Sequence, residues 1–366
     1  MEFQTAIARG SDWQGVARSL LVQLPNMQQS NVAFLYVADA LAKDTRSLFT
    51  FLRRTSHIRH WIGGSNLAAF TNHGFLHGEA GAVMMVGHMP PGTIHHPDPA
   101  IDTLRQLAAP VGIIHGDPRL HRWDEQLAAL SRLPTYWMGG MLLNRDGHHA
   151  FNGDQMDTAP ITLTCFNSRL SIATALFQGC RPIGQTHWVT GTDGNRITML
   201  DHRAAVDVFA DTMAALIKNL KKPLLQESDF HIALLPAASD DSGHYAVRGI
   251  AKLMAENKSI ALASPVAVGQ KIQFVQRDRD FAEAHMADGL EKLQARIRQQ
   301  KRKVVAGHYV SCMTRLPGLL GDDVDGEMAM LRHVLGPVPI IGYYGIGEIA
   351  RGELHNFAGA LTLWLE

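Results

Sequence analysis

Near its end the chain reads PIIGYYGIGEIARGELHNFAGALTLWLE, from Pro339 to Glu366. An apolar run broken by Gly342, Gly345 and Gly347 meets an acid, Glu348, then the pair His355–Asn356, before a second apolar run. A carboxylate between Gly347 and Ile349 falls at the rim of a buried strand, where an unpaired charge is expensive. The cations available in other apolar blocks are Arg181, Arg248 and Arg315. Two chemistries follow. Glu348 forms a structural ion pair with one arginine, or the same charges face a cavity, where a guanidinium fork grips a small carboxylate through two parallel hydrogen bonds. Glycine costs a strand roughly 0.5–1 kcal/mol relative to alanine, so this cluster marks close backbone approach or a sharp turn.

Nucleophilic chemistry has weaker support. In GHYVSCM, Cys312 lies four residues from His308. On a strand the two share a face but stand about 13 Å apart, too far for the imidazole to activate the thiol. A buried structural thiol is expected instead. The chain carries no GxSxG, Walker, dinucleotide-binding, HExxH or CxxC pattern, so no enzyme is expected. Its 19 histidines are scattered, and the adjacent pairs His95–His96 and His148–His149 sit beside Pro or Gly. Neighbours on a strand point to opposite faces, so these pairs read as loop residues, not chelators. No metal site is expected.

The elements that must hold these residues follow from periodicity. Residues 5–22 can form an amphipathic helix. NVAFLYVA (31–38) is a buried strand, DTRSLFTFLRRTS (44–56) a helix with Asp44 as N-cap, and HWIGGSN (60–66) a strand. Strand, helix and strand at this spacing read as a parallel pair with its crossover. YWMGGML (136–142) resembles HWIGG as a second corner of the same kind. From residue 161 the texture becomes short strands and turns, including an Asp193-Gly194-Asn195 hairpin turn. The reading is α/β: two domains with mixed β-sheets flanked by helices, 1–202 and 203–366, the C-terminal one largely antiparallel.

Composition bounds the partners. Lys+Arg and Asp+Glu balance at 34 each, so nucleic-acid binding, which needs a basic face, is not expected. The basic runs 218–223 and 296–303 are local exceptions, the second a solvated helix end. No stretch has the roughly 20 apolar residues of a membrane span, and no secretory signal is visible. Three widely spaced cysteines fit reduced thiols, hence a cytoplasmic location.

Several blocks together resemble the FIST family, sensory modules of bacteria and archaea. They are WIGGSN, the central QGCRPIGQTHWVTGTDGNRITMLDHRAAVDVFAD, then YAVRGI, VGQKIQFVQRD, YVSCMTR and the closing PIIGYYGIGEIARGELHNFAGALTL. The likeness covers nearly the whole chain, as an N-terminal FIST domain followed by a C-terminal one. It departs at Thr314, where the family often has Gly, and at Phe357-Ala358, where it often has Thr. The resemblance implies a small-ligand-binding sensory protein, with an amino acid or similar small carboxylate as ligand and a separately encoded kinase or cyclase as signalling partner. It leaves two alternatives: a haem-binding nitric-oxide sensor with His355, His308 or Cys312 on the iron, and an uncharacterised enzyme. A homo-oligomer is compatible with either. The expected site gathers strand-end residues near the domain junction: Arg181, Arg248, Cys312, Arg315, Gly347, Glu348, His355 and Asn356, with Tyr344 and Trp188 as walls.

Overall fold

A strand whose every residue is buried must lie inside a sheet covered on both sides. VAFLYVA (32–38) is such a strand, and it is the first of three built alike. The structure is a computed structural model describing residues 1–366 except 121, 146, 148, 158, 220–228, 237–243 and 317–325. His148 and most of the basic run 218–223 lie outside the described residues. Two compact units emerge. The first comprises Met1–Phe177, Met286–Leu354 and Ala358–Glu366; the second comprises Gln178–His285 and His355–Phe357. The boundary at 202/203 is one along the chain, and the compact units cross it.

The first unit is one module repeated three times. The opening copy runs β1 (Phe3–Arg9), α1 (Trp13–Gln23), β2 (Val32–Ala38), α2 (Thr45–Ser56), β3 (His60–Asn66), a hairpin β4 (Ala68–Thr71) and β5 (Gly74–His77), then β6 (Gly81–Gly87). The second runs β7 (Ile94–His95), α3 (Ile101–Leu107), β8 (Val111–Gly116), α4 (Trp123–Leu130), β9 (Tyr136–Met141), hairpin β10 (Ala150–Gly153) and β11 (Gln155–Asp157), then β12 (Ile161–Phe166). The third opens with β13 (Ser171–Gln178). Its chain then forms the second unit: β14 (Cys180–Asp193), β15 (Arg196–Leu200), β16 (Arg203–Ala204), α5 (Ala205–Asn219), β17 (Phe230–Leu234), β18 (Ala246–Met254), β19 (Ser259–Leu262) and β20 (Lys271–Arg277). It resumes with α6 (Arg279–Gln299), β21 (Val304–Cys312), α7 (Gly326–Leu335), β22 (Ile340–Gly345), hairpin β23 (Glu348–Ala350) and β24 (Glu353–His355), and ends in β25 (Ala358–Leu365).

The sheet orders are β1-β6-β2-β3-β10-β11, β7-β12-β8-β9-β23-β24 and β13-β25-β21-β22-β4-β5. Each has a parallel pair at its centre: β2/β3, β8/β9 and β21/β22. Each module gives its hairpin away. The first lends β4–β5 to the third sheet, the second lends β10–β11 to the first, and the third lends β23–β24 to the second. A shared glycine explains the repeated corner. A Cβ at Gly63, Gly139 or Gly342 would stand 2.1, 2.1 or 1.8 Å from the carbonyl oxygen of Leu35, Ile114 or Tyr309 on the parallel neighbour, so no side chain fits there.

The mixed α/β reading holds, and so does the parallel β2/β3 pair. Asp44 occupies the N-cap position of α2, though its side chain makes no capping hydrogen bond. Residues 5–22 are not one helix. Phe3–Arg9 pairs antiparallel with Gly81–Gly87, because alternating burial suits an outer strand, and the helix starts only at Trp13, capped by Asp12. The closing strand β25 lies between β13 and β21, interior to its sheet.

The second unit is a closed antiparallel barrel. Its order β14-β20-β17-β18-β19-β15 closes through β14 pairing with β15. The expected Asp193-Gly194-Asn195 turn joins those two strands, with Gly194 at φ +59°. Ile183, Ile232, Ile260 and Phe274 fill the interior, and Val208 and Phe209 of α5 pack against them. Among the described residues no helix is long and apolar enough to cross a membrane.

Candidate functional site

The carboxyl end of a central parallel pair is where α/β sheets usually gather polar groups. Each module of the first unit places a buried acid with an arginine there. Asp39, after β2, holds Arg145 at 2.6 Å, and Asp117, after β8, holds Arg119 at 2.5 Å; both arginines reach solvent. In the third module the pair is Arg315 with Glu327, and both side chains are buried.

Glu327 was not expected in the site, and it corrects the pairing. Glu348 was expected either to pair with one of Arg181, Arg248 and Arg315 or to face a cavity with them. Instead Arg315 Nε donates to Glu327, while Ser311 Oγ donates to its other oxygen at 2.6 Å and Tyr344 lies near the same carboxylate. Burial alone would lower the pKa of Arg315, but Glu327 beside it outweighs that and holds it above the ordinary value. The guanidinium stays charged. A signal for Glu327 existed in the sequence: it is one helical turn before Leu331 on the buried stripe of α7, a place where an acid needs a partner.

Glu348, at the start of β23, stands opposite Gly140 of β9 and is fully buried. Oε2 accepts the Ala358 backbone N–H at 3.2 Å. Oε1 has no hydrogen-bond partner. Burial raises the pKa of Glu348 well above the ordinary carboxylate range, and neither the Ala358 donor, the nearby Cys312 nor the Arg315 charge cancels that. Thr314 Oγ1 lies 3.2 Å from Cys312 Sγ and donates to it. Gly347 gives its carbonyl to Met141 N–H at 2.8 Å, and the Tyr309 hydroxyl, beside Ser311 and Glu327, finds no partner at hydrogen-bonding geometry.

The expected site residues thus divide between the units. Cys312, Arg315, Tyr344, Gly347 and Glu348 belong to the first. Arg181, Trp188, Arg248, His355 and Asn356 belong to the second. Within that unit, Arg248 Nη1 and Asn356 Nδ2 both donate to the Val247 carbonyl, at 3.1 and 3.2 Å. Arg181 pairs with Asp278 at 3.0 Å in partly exposed surroundings. Trp188 is 53% exposed, with the Lys271 ammonium 5.9 Å from its ring centre, so within its unit it is no wall of a closed pocket.

His308 has a different setting. With Tyr36 of β2 and His115 of β8 it forms a buried polar centre in the first unit. The Tyr36 hydroxyl lies 2.6 Å from His308 Nε2 and 2.9 Å from His115 Nε2. A phenol has one proton, so one imidazole accepts it while the other donates to the phenol oxygen. Burial pushes the pKa of His308 down to about 3, leaving it neutral. Tests for a haem fail at two of the three candidates. The His308 ring is packed among Phe34, Tyr36, His115 and Tyr343, with centroids about 6 Å away, so no porphyrin face can reach it. Cys312 Sγ is buried and accepts from Thr314 Oγ1. His355, the third, is buried in the second unit. Among the described residues no group of three His, Cys, Asp or Glu is placed to hold a metal ion.

Two domain families match the chain in succession, the FIST N domain over residues 31–203 and the FIST C domain over 205–351. Among curated relatives, the chain is 26% identical over 194 residues to an uncharacterised protein of Mycobacterium bovis, covering 52% of this chain and 49% of that one. It is 25% identical over 194 residues to an uncharacterised protein of Mycobacterium tuberculosis, covering 52% and 50%. The chain thus spans about half the length of the curated relatives it matches. With both domain matches together covering most of its residues, and in the expected order, the chain belongs to the FIST family.

Proposed function

We propose that this chain is the ligand-binding input of a signalling system, reporting to a separate protein such as a kinase or cyclase, and that the Glu348 corner receives the ligand. The observation that supports this reading is a buried carboxyl whose Oε1 has no donor. An unmet acceptor in an interior costs about 1–3 kcal/mol, and a ligand that donates to it recovers that penalty. The complementary group is an ammonium. Arg315, whose Nε is taken by Glu327, is a poor grip for a free carboxylate. An amino acid bound through its ammonium group, or the corresponding amine, fits; a simple carboxylate does not. The buried thiols of Cys312, Cys165 and Cys180 suit a reducing cytoplasm.

Thermal denaturation with amino acids, the matching amines and the matching carboxylic acids tests the reading. Amino acids and amines should stabilise the wild type, by about 2.7 kcal/mol at a hundred times Kd, and carboxylic acids should not. In Glu348→Gln the response should vanish while the unliganded melting temperature does not fall. A response that survives in Glu348→Gln, or one given equally by carboxylic acids, removes this assignment.

A further inference from the structure

A second cluster of polar atoms lies elsewhere in the first unit. His60, opening β3, and His96, just after β7, stack with ring centroids 5.3 Å apart, and His60 Nδ1 stands 3.1 Å from His96 Nε2. The far nitrogen of His96 is fixed, with Nδ1 3.2 Å from Thr164 Oγ1 on β12. Gly153 of β10, at φ +66°, makes room, since a Cβ there would stand 3.0 Å from His96 Cδ2. Its neighbour Asn152 adjoins His96, and the Asn152 Oδ1 is buried with no hydrogen-bond partner.

We propose that His60 Nδ1, His96 Nε2 and Asn152 Oδ1 form a binding site for a divalent transition-metal ion of the zinc, nickel or copper class. Nitrogens bound to one ion at about 2.0–2.1 Å stand roughly 2.9–3.4 Å apart at octahedral to tetrahedral angles. The observed 3.1 Å falls inside that window. In the tautomer this site requires, His96 Nδ1–H donates to Thr164, and without an ion His60 Nδ1–H donates to His96 Nε2. An ion replaces that proton, and His60 shifts its hydrogen to Nε2. Thr164 is the positioning residue, fixing the tautomer that points Nε2 at the ion, as outer partners of ligating histidines do. Burial lowers the pKa of both imidazoles, that of His96 to about 4, so their lone pairs are available at neutral pH. Asp154 lies close enough to act on His96 and adds favourable negative potential. Imidazole nitrogens select borderline ions over magnesium or calcium. The set is not a triad of His, Cys, Asp or Glu, because its third donor is an amide oxygen and water completes the sphere.

Calorimetric titration of untagged full-length protein with zinc chloride and nickel chloride tests this. The wild type should bind one tight equivalent. His96→Ala and the half-exposed His60→Gln should each weaken it at least tenfold, and Thr164→Val by 10–100-fold, while Glu348→Gln should bind zinc as the wild type does. With copper(II), paramagnetic resonance should show coupling to two imidazole nitrogens. Wild-type zinc affinity and stoichiometry in folded His60→Gln overturns the site, as does the absence of a tight equivalent in the wild type. Because Glu348→Gln is expected to be silent here, the two sites fail independently.

Discussion

Glu327 and Glu348 are buried acids in the same unit, 2% and 0% exposed, and they are solved in opposite ways. Glu327 collects donors from Ser311 and Arg315, and its charge is matched by a guanidinium held beside it. Glu348 has one backbone donor on Oε2, none on Oε1, and no ion-pair partner among the described residues, although the Arg315 charge acts on it from nearby. A satisfied network stabilises one arrangement of a core, and a partly satisfied one is destabilising unless something else completes it. Burial alone therefore does not distinguish scaffold from site. Donor satisfaction does.

The contrast can be broken most forcefully at Arg315. Arg315→Ala leaves Glu327 buried without its cation and should lower unfolding free energy by roughly 3–5 kcal/mol, measured by chemical denaturation. A loss below about 1 kcal/mol would mean that Glu327 is not held as an ion pair.

A smaller effect, with a distinctive pH signature, belongs to Glu348. Its folded pKa lies above the unfolded value of 4.5 because burial penalises the charged form. Above that pH the unfolded chain has released a proton that the folded protein retains, so the contribution is full below the unfolded pKa and is lost as pH rises through the folded one. Glutamine mimics the neutral acid and never ionises. The stability of Glu348→Gln relative to wild type should therefore grow as pH rises above the unfolded value of 4.5. Parallel stability curves would show that Glu348 titrates normally. The same linkage sharpens the ligand reading: an ammonium favours the ionised carboxylate, so affinity for amines should rise with pH until Glu348 is ionised in the free protein.

The smallest expected change is at Ser311. Removing one of the donors to Glu327 with Ser311→Ala should cost about 1 kcal/mol and leave ligand response and the Glu348 pH slope untouched. A lost ligand response there would join the two acids into one site.

Much of the architecture was legible. VAFLYVA is apolar at every position, so it had to be an interior strand, and DTRSLFTFLRRTS had to return the chain to a parallel neighbour. The likeness of HWIGG to YWMGG was a true repeat, since Gly63 and Gly139 meet the same kind of carbonyl. The third copy escaped notice because Ile340-Ile341-Gly342 lacks the tryptophan that marks the other two, Trp61 and Trp137. Phe3–Arg9 escaped because its apolar spacing also suits a helix, and only its pairing with β6 decides for a strand. Of the site, Cys312, Arg315, Tyr344, Gly347 and Glu348 were singled out and share one unit, whereas Glu327 was read only as helix, Ser311 and His60 as strand, and His96 as loop.

By itself the sequence determined most of the strands and helices, with Phe3–Arg9 an exception, and that rare charges such as Arg315 and Glu348 lie within apolar blocks. Those are local properties, fixed by side-chain periodicity and turn chemistry over a few residues. Tertiary structure alone decided that the three modules exchange hairpins, that Arg315 takes Glu327 instead of Glu348, and that His60 meets His96. Backbone pairing energy is nearly indifferent to which strand supplies the partner, and an ion pair depends on distances between groups remote along the chain. Such choices are settled only when the whole core packs.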